Sequence, residues 1–252
     1  MGLLTFLRST GGRKRGSHAP RLIYAVGDVH GRLDLLSRMV EMIREDVNIS
    51  VPRSLPMLVF LGDLIDRGPD SAGCLGIVLS LKAEGWCEVV CIRGNHEHSM
   101  LQFVDEGVGG AAWCAHGGGA TLASYGVDLP AEPSDSAWKN IRWRLSSQVP
   151  GTHWDLLRSM PLWATCEDYL FVHAGVRPGT PLKDQDPVDL LWIRQPFLKA
   201  RWPADRVVVH GHTVLAAPEL KPWRIGVDTG AYLTGVLTAV RLHGYERSLL
   251  QT

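Results

Sequence analysis

The sequence predicts an α/β fold in which a mixed set of strands is flanked by helices. Three observations lead to this class. In the first part of the chain, short apolar runs alternate with segments of helical periodicity. The middle shows no strand-like alternation, and the last third carries strand patterns without long helices between them. Short apolar runs indicate buried strands, and apolar positions three or four residues apart indicate helices.

The first part of the chain predicts a β-α-β-α-β unit. Residues 22–26, 57–61 and 88–92 form apolar runs that predict three buried strands. Between them, the apolar side chains within 35–43 and 74–81 fall on one face of a helix. Strands joined by helical crossovers run parallel with right-handed connections, so we expect a parallel core here.

Residues 108–163 predict a mostly helical insertion, which we call the cap. The segment is rich in Gly, Pro and Trp, with helical patterns at 136–147 and 153–159. Further strands are predicted at 169–172, 206–209, 224–227 and 235–242. Because these strands have no long helices between them, we expect part of the sheet structure to be antiparallel. Residues 21–252 would form one domain that includes the cap.

The composition is that of a globular domain and excludes several classes of protein. The 252 residues carry 26 basic and 26 acidic side chains, which gives a net charge of zero and no broad basic surface. Hydrophobic residues make up 45%, yet no stretch approaches the roughly 18 apolar residues that a membrane span needs. We therefore expect neither nucleic acid nor a membrane as partner. The oligomeric state stays open.

The cysteines and the N-terminus indicate a reduced, cytoplasmic setting. The five cysteines are odd in number and include no CxxC pattern. Residues 1–20 do not resemble a signal peptide, because the apolar run is short and the basic cluster follows it. We expect these residues to form a flexible basic tail.

Polar clusters follow five of the predicted strands. They read GDVHG at 27–31, GDLIDRG at 62–68, RGNHE at 93–97, HAG at 173–175 and HGHT at 210–213. In open α/β sheets, ligands bind beyond the carboxyl ends of the strands. Five polar clusters at such ends can therefore converge on one site.

Six side chains in these clusters are of types that bind divalent ions. They are Asp28, His30, Asp63, Asn95, His173 and one of His210 or His212. Six oxygen and imidazole donors exceed the four ligands of a zinc site. They suit two ions that share a carboxylate, the arrangement used for in-line displacement at phosphorus. A helix cap or a structural hydrogen bond explains any single residue, but not the whole ordered series.

The series GDVHG, GDLIDRG, GNHE, HAG and GHT resembles the motifs of the phosphoprotein phosphatase family. These are the metal-dependent serine/threonine phosphatases of the calcineurin-like metallophosphoesterase superfamily. The resemblance covers residues 22–242, and the segments 117–126 (GGGATLASYG) and 190–194 (LLWIR) are similar to bacterial and phage members. It implies a mixed β-sandwich flanked by helices, with a dinuclear metal centre at the strand ends.

The resemblance also implies the ligands of each ion. Asp28 and His30 would bind the first ion, Asp63 would bridge both, and Asn95, His173 and His212 would complete the second. His212 is the histidine of the GHT motif and is therefore preferred over His210. Manganese is the favoured metal, with iron, zinc and cobalt as alternatives, because mixed oxygen and nitrogen ligands admit all four.

Further motif residues would carry out the reaction. The resemblance implies that His96 is the acid that protonates the leaving oxygen and that Asp66 orients it. Arg67, Arg194 and Asn95 would contact the phosphate oxygens, since guanidinium groups match phosphate geometry.

The implied function is hydrolysis of phosphomonoesters through in-line attack by a metal-bridging hydroxide. The substrate would be a protein or peptide phosphorylated on Ser or Thr, with phosphotyrosine as an extension. One alternative is a dinucleoside tetraphosphate hydrolase of the related diadenosine-tetraphosphatase branch. That branch usually carries GNHD and lacks the Asp of DRG, whereas this sequence reads GNHE and GDLIDRG. The other alternative is an inactive phosphoprotein-binding module, which the complete set of ligand and acid positions disfavours.

Overall fold

The computed structural model describes residues 7–8 and 20–252, whose strands form two sheets. The strands are β1 (Leu7–Arg8), β2 (Leu22–Val26), β3 (Met57–Phe60), β4 (Glu88–Cys91), β5 (Trp163–Cys166), β6 (Tyr169–Val172), β7 (Val207–His210), β8 (Glu219–Leu220), β9 (Arg224–Gly226), β10 (Thr238–His243) and β11 (Glu246–Gln251). The predicted tail, residues 1–20, lies outside the described residues apart from β1 and Pro20.

The helices lie between and outside these strands. They are α1 (Leu33–Ser50), α2 (Ser71–Glu84), α3 (Asn95–Glu106), α4 (Gly110–Trp113), α5 (Gly119–Ser124), α6 (Asp135–Gln148), α7 (Gly151–Ser159), α8 (Pro187–Trp192) and α9 (Ala231–Thr234). A wide π-type turn, Cys114–Gly118, joins α4 to α5. No helix in the described part of the chain is long and apolar enough to cross a membrane.

Both sheets mix parallel and antiparallel pairs, which confirms the predicted fold class. The first sheet has the order β1-β11-β10-β2-β3-β4, and the second has the order β5-β6-β7-β9-β8. Strands β2, β3 and β4 are parallel, as the β-α-β-α-β pattern predicts. Strands β6, β7 and β9 are also parallel, and β5 and β8 flank them as antiparallel edges. The carboxyl ends of the parallel strands therefore carry the polar clusters.

Alternation along β2 shows how the sheets pack. Ile23 and Ala25 face the second sheet and join a core between the sheets that includes Val59 and Phe171. The intervening Tyr24 faces the opposite side, where α1 and α2 cover the first sheet. Each fully buried aliphatic or aromatic side chain contributes about 1.5–3 kcal/mol. Burial on both faces thus fixes the register of β2, because a shift by one residue would exchange the two faces.

The middle of the chain is helical, as its composition predicts. Helices α6 and α7 fall within two residues of the predicted segments 136–147 and 153–159. Ser134 caps the N-terminus of α6, because its hydroxyl accepts the backbone N–H of Ala137. In the described residues α6 packs on α3, and α7 packs on α2 and α3.

Four strands were not predicted, and one predicted strand begins later. The two-residue β1 falls in the segment that we predicted as a flexible tail, and it pairs with β11. Strand β5 alternates between exposed and half-buried residues, and β8 has two residues, so both lack an apolar run. Strand β11 begins with Glu and Arg and ends with Gln, which hides its apolar centre. The strand predicted at 235–242 begins at Thr238, because Gly235 ends α9 in a left-handed conformation (φ 72°).

Two glycines give a matched test of this packing. Gly76 lies in α2 with open space around an added Cβ, whereas Gly62 has φ 95° and an added Cβ would lie 2.6 Å from the Gly94 backbone nitrogen. We expect Gly76→Ala to raise the free energy of unfolding by about 0.5–1 kcal/mol, because alanine has the higher helix propensity. Gly62→Ala should lower it by more than about 1 kcal/mol. Urea unfolding measures both, and equal shifts would contradict this packing.

Candidate active site

The six predicted donor residues come together at the carboxyl ends of the strands. Each of them is at most 8% exposed, and they are Asp28, His30, Asp63, Asn95, His173 and His212. They follow β2, β3, β4, β6 and β7, so neighbouring strand ends of both sheets contribute. The polar clusters seen in the sequence thus form one buried site.

Asp63 lies at the centre of two overlapping groups. Its Oδ2 atom is 3.5 Å from His30 Nε2 and 3.9 Å from His96 Nε2 on one side. On the other side Oδ2 is 3.5 Å from His173 Nε2, and His212 completes this group. A carboxylate in this position can contact two ions at once.

Asn95 and Asp28 add oxygen atoms beside these groups. Asn95 Oδ1 is 2.8 Å from His173 Nε2 and 3.0 Å from His212 Nδ1. The Asp28 carboxylate accepts the backbone N–H of His212, with Oδ2 at 3.0 Å. Asp28 therefore lies next to Asp63 and the histidines, although it belongs to neither three-residue group.

The second nitrogen of two histidines fixes which atom faces the centre. His30 Nδ1 donates to the Ile65 carbonyl at 2.9 Å, and His173 Nδ1 donates to the Leu61 carbonyl at 2.8 Å. Burial lowers the pKa of His30 to about 3 and also lowers the pKa of His173, so both rings are neutral. Their Nε2 lone pairs then face the oxygens of Asp63 and Asn95. Acceptor faces acceptor across the site, an arrangement that a cation between them satisfies.

Buried negative charge provides a second reason for a cation. Burial, together with repulsion from Asp228 and Asp63, raises the pKa of Asp28 well above its usual range. Burial and the charge of Asp63 raise the pKa of Glu97 to about 7. Burial raises the pKa of Asp228 to about 6. The donor set and this excess of carboxylates fit two divalent ions, which would stabilise the charged forms.

Strained backbone accompanies the donors. Five predicted site residues have positive φ: His30 (48°), Asp63 (51°), Asp66 (72°), Arg67 (67°) and His212 (61°). Residues other than glycine rarely adopt this conformation, and such strain concentrates at functional sites. Glu97 supports the strained turn, because its carboxylate accepts the backbone N–H groups of Asp63, Leu64 and Gly94 at 2.7–3.0 Å.

His96 and Asp66 form a buried pair beside the donors. His96 Nδ1 donates to Asp66 Oδ2 at 2.6 Å. Its Nε2 atom faces the site, 3.1 Å from Arg67 Nη2. Burial alone would lower the pKa of His96, but the attraction of Asp63 and Asp66 outweighs it and raises this pKa above its usual value. A raised pKa favours the protonated imidazole that a general acid needs. Because a guanidinium can only donate, Nε2 accepts from Arg67 in this geometry, so a proton on Nε2 requires the Arg67 side chain to move away.

The two predicted arginines border the site differently. The Arg67 guanidinium lies 4.6 Å over the ring centroid of Tyr232, a residue that the sequence did not single out. Arg194 is exposed, forms no ion pair within the described part of the chain, and contributes to the lowered pKa of His173 and His212. Both positive charges are therefore available at the rim of the buried carboxylates.

His210 and His212 are separated by the end of β7. His210 Nε2 accepts from Arg224 Nη1 at 3.1 Å, and its ring packs against Phe197 at 5.0 Å between centroids. The left-handed conformation of His212 breaks the strand alternation, so its ring turns toward Asn95 instead. Of the two, the structure brings only His212 to the donors.

Several residues of the site were not found from the sequence. Asp228 follows β9, and its carboxylate accepts the Gly230 backbone N–H at 2.8 Å. Trp192 is 43% exposed, and its ring lies 6.1 Å from that of His212. The strand-end position of Asp228 was an available signal. Trp192 lies in the LLWIR segment that supports the family resemblance, but no role was assigned to it, and nothing in the local sequence marks Tyr232.

Comparisons with known proteins identify relatives along nearly the whole chain. A family model described as calcineurin-like phosphoesterase matches residues 21–235. The chain is 30% identical to serine/threonine-protein phosphatase 1 of Salmonella typhimurium, over 88% of this chain and 92% of that protein. It is 27% identical to the asymmetrical bis(5'-nucleosyl)-tetraphosphatase PrpE of Geobacillus thermodenitrificans, over 86% of this chain and 88% of that protein.

A solved structure shares the fold. The crystal structure of a putative diadenosine tetraphosphatase superposes with a TM-score of 0.65 at 19% identity. The match covers 93% of this chain and 98% of that one. At this identity, the likeness establishes the two-sheet architecture.

Metal binding is directly testable. We expect metal-free protein to bind about two Mn²⁺ ions in calorimetric titration, because two donor groups share Asp63. Saturation at about a hundred times Kd should stabilise the fold by about 2.7 kcal/mol for each ion bound. Asp63→Asn should lose most of both effects. Asp70→Asn is the matched control, since Asp70 caps α2 by accepting the Gly73 N–H and asparagine retains this capacity. Unchanged Mn²⁺ binding in Asp63→Asn would contradict the assignment.

Proposed function

The chain belongs to the calcineurin-like phosphoesterase family, and on that premise we propose that it is a metal-dependent phosphomonoesterase acting on phosphorylated Ser, Thr or Tyr side chains of proteins. The hydrolase class follows from the family. The protein substrate is our inference from the site and is supported by the similarity to serine/threonine-protein phosphatase 1.

The pairing of His96 with Asp66 is the observation that carries this proposal. The alkoxide of serine or threonine is a poor leaving group and needs a proton as the P–O bond breaks. General-acid catalysis of this kind accelerates a reaction by roughly a hundred- to ten-thousand-fold. A phosphoanhydride releases a less basic phosphate and gains less from an acid. The buried pair, with Nε2 of His96 facing Asp63 and Arg67, therefore favours a monoester substrate.

The other residues would hold the ions and the phosphate. The ions would be held by Asp28, His30, Asp63, Asn95, His173 and His212. When bound, two divalent ions supply a water nucleophile at neutral pH and neutralise charge on the phosphoryl oxygens. Arg67 and Arg194 would contact the remaining phosphate oxygens. Stacking on Tyr232 restricts the Arg67 guanidinium and reduces the entropy lost on binding.

Dinucleoside tetraphosphate hydrolysis is the second candidate. The similarity to the PrpE protein supports it. Trp192 gives it a structural basis, because an exposed indole beside His212 offers a face on which a nucleobase could stack.

Variants of His96 test the acid. We expect His96→Asn to lower kcat for a phosphoserine peptide by at least about a hundredfold, because the serine alkoxide then leaves without a proton. For 2,4-dinitrophenyl phosphate, whose leaving group is weakly basic, the loss should be at least tenfold smaller. Steady-state assays in Mn²⁺-replete buffer measure both. A full rate on the peptide would exclude His96 as the acid.

A comparison of substrates separates the two candidates. We expect kcat/KM for phosphoserine and phosphothreonine peptides to exceed that for a dinucleoside tetraphosphate. Trp192→Ala should leave peptide hydrolysis within about twofold, since truncation of an exposed rim residue removes no acid or ligand. A preference for the dinucleotide that falls on Trp192→Ala would favour the second candidate. Binding of phosphopeptide without turnover would contradict both and indicate a binding module.

A further inference from the structure

Asp66 is fully buried, and its carboxylate accepts hydrogen bonds from three side chains. Oδ2 accepts from His96 Nδ1 at 2.6 Å and from Trp113 Nε1 at 2.7 Å. Oδ1 accepts from the Thr121 hydroxyl at 2.5 Å. Hydrogen bonds to a carboxylate are shorter and stronger than those between neutral groups. Both oxygens of Asp66 are therefore held in one orientation. Besides His96, the donors are Trp113 and Thr121, which lie outside the site.

The hydrogens around Asp66 form a complete network. The backbone N–H of Asp66 lies 3.0 Å from both Ser71 Oγ and Thr121 Oγ1. Thr121 has one hydroxyl hydrogen, which it donates to Asp66, so Ser71 donates to Thr121 across their 2.8 Å contact. Both side chains are fully buried. A network in which each buried group is satisfied specifies one geometry, and removal of a donor leaves a buried acceptor without a partner.

Trp113 and Thr121 lie at the two ends of one short stretch of the cap. Trp113 ends α4, Thr121 lies in α5, and the π-type turn Cys114–Gly118 joins them. Turns of this kind often occur at functional sites. The same turn contacts the Arg67 backbone, because the Gly117 carbonyl accepts the Arg67 N–H at 3.1 Å.

Glycines in this turn make the approach possible. Gly117 has φ 117°, and an added Cβ would lie 2.6 Å from Arg67 Cγ. An added Cβ on Gly118 would lie 2.5 Å from the Trp113 indole. From the sequence, no chemical role was assigned to the GGGATLASYG segment. Its glycines let the backbone of this segment contact Arg67 and let Trp113 contact Asp66.

We propose that Trp113 and Thr121 are positioning residues of the phosphatase reaction, which hold Asp66 so that His96 Nε2 faces the leaving oxygen. This inference rests on the proposed role of His96 as the acid. The cap would thereby contribute to proton delivery without touching the substrate.

Packing alone does not account for Trp113. Its ring contacts Phe103 with 5.7 Å between centroids, which a phenylalanine would reproduce. The indole N–H nevertheless points at a buried carboxylate. Trp138 provides the contrast: its ring packs on the same Phe103 at 5.9 Å, and it has no hydrogen bond to Asp66.

The network acts on one proton transfer. The proton on His96 Nε2 passes to the ester oxygen as the P–O bond breaks, and the attacking water supplies the new oxygen on phosphorus. His96 is left neutral with its remaining proton on Nδ1, which donates a hydrogen bond to Asp66. If Asp66 rotates, the ring can tilt or adopt the other tautomer, and Nε2 no longer faces the leaving oxygen.

The experiment uses two substrates that differ in their need for an acid. Phenyl phosphate releases a basic phenolate, and 2,4-dinitrophenyl phosphate releases a weakly basic one. Trp113→Phe removes the indole N–H, and Thr121→Val removes the hydroxyl at constant volume. Thr121→Ser retains the hydroxyl, and Trp138→Phe is the matched control. All are assayed as Mn²⁺-loaded enzymes, with His96→Asn alongside and with thermal melts to compare the folds.

We expect Trp113→Phe and Thr121→Val each to lower kcat on phenyl phosphate by about tenfold, a fraction of the effect of an acid. Their kcat on 2,4-dinitrophenyl phosphate and their KM values should stay within about twofold. Thr121→Ser should recover most of the phenyl phosphate rate, and Trp138→Phe should behave as wild type. A merely structural role would lower both rates together, whatever the leaving group.

The contrary outcomes are distinct. Three outcomes would overturn the positioning role while His96→Asn still supports the acid. They are an equal loss of kcat on both substrates, no loss of kcat in either variant, and an equal selective loss of kcat in Trp138→Phe. If His96→Asn itself showed no dependence on the leaving group, the proposed acid would fall and this inference with it.

Discussion

Asp63 lies within 3.9 Å of three imidazole rings through one carboxylate oxygen, and its backbone N–H donates to Glu97. The surrounding structure depends on this placement. Two parallel strand systems end at the same edge, so that Asp63 from the first sheet meets His173 from the second. Burial, together with repulsion from neighbouring carboxylates, raises the pKa of Asp28 and of Glu97. Divalent cations would stabilise the charged carboxylates and connect the fold to the chemistry of the family.

The backbone around Asp63 is strained. Asp63, Asp66 and Arg67, in the segment after β3, each have a left-handed conformation, which costs about 1–2 kcal/mol per residue. Two contacts hold this segment. Glu97 accepts the Asp63 and Leu64 backbone N–H groups, and the π-type turn Cys114–Gly118 accepts the Arg67 N–H. The cap is therefore continuous with the site along one short stretch, while α6 and α7 pack on the flanking helices.

The sequence was sufficient to predict most of the fold and the donor set, for a physical reason. Parallel strands buried on both faces leave continuous apolar runs, and the polar residues at their ends then stand out, as Asp28 does after β2. Edge strands such as β5 carry no such run and were missed. The roles of Trp113 and Thr121 were not predicted for another reason, although Thr121 lies in the GGGATLASYG segment that supports the family resemblance. Neither residue type indicates a contact with Asp66, and only the folded chain brings them to it, across 47 and 55 residues.

We infer that two ions share the Asp63 carboxylate. Anomalous diffraction at the manganese edge, from crystals grown with Mn²⁺, tests this most directly. We expect two anomalous peaks, one between Asp63 and His30 and one between Asp63, Asn95, His173 and His212. A single peak remote from Asp63, or no peak under conditions in which the enzyme is active, would contradict it.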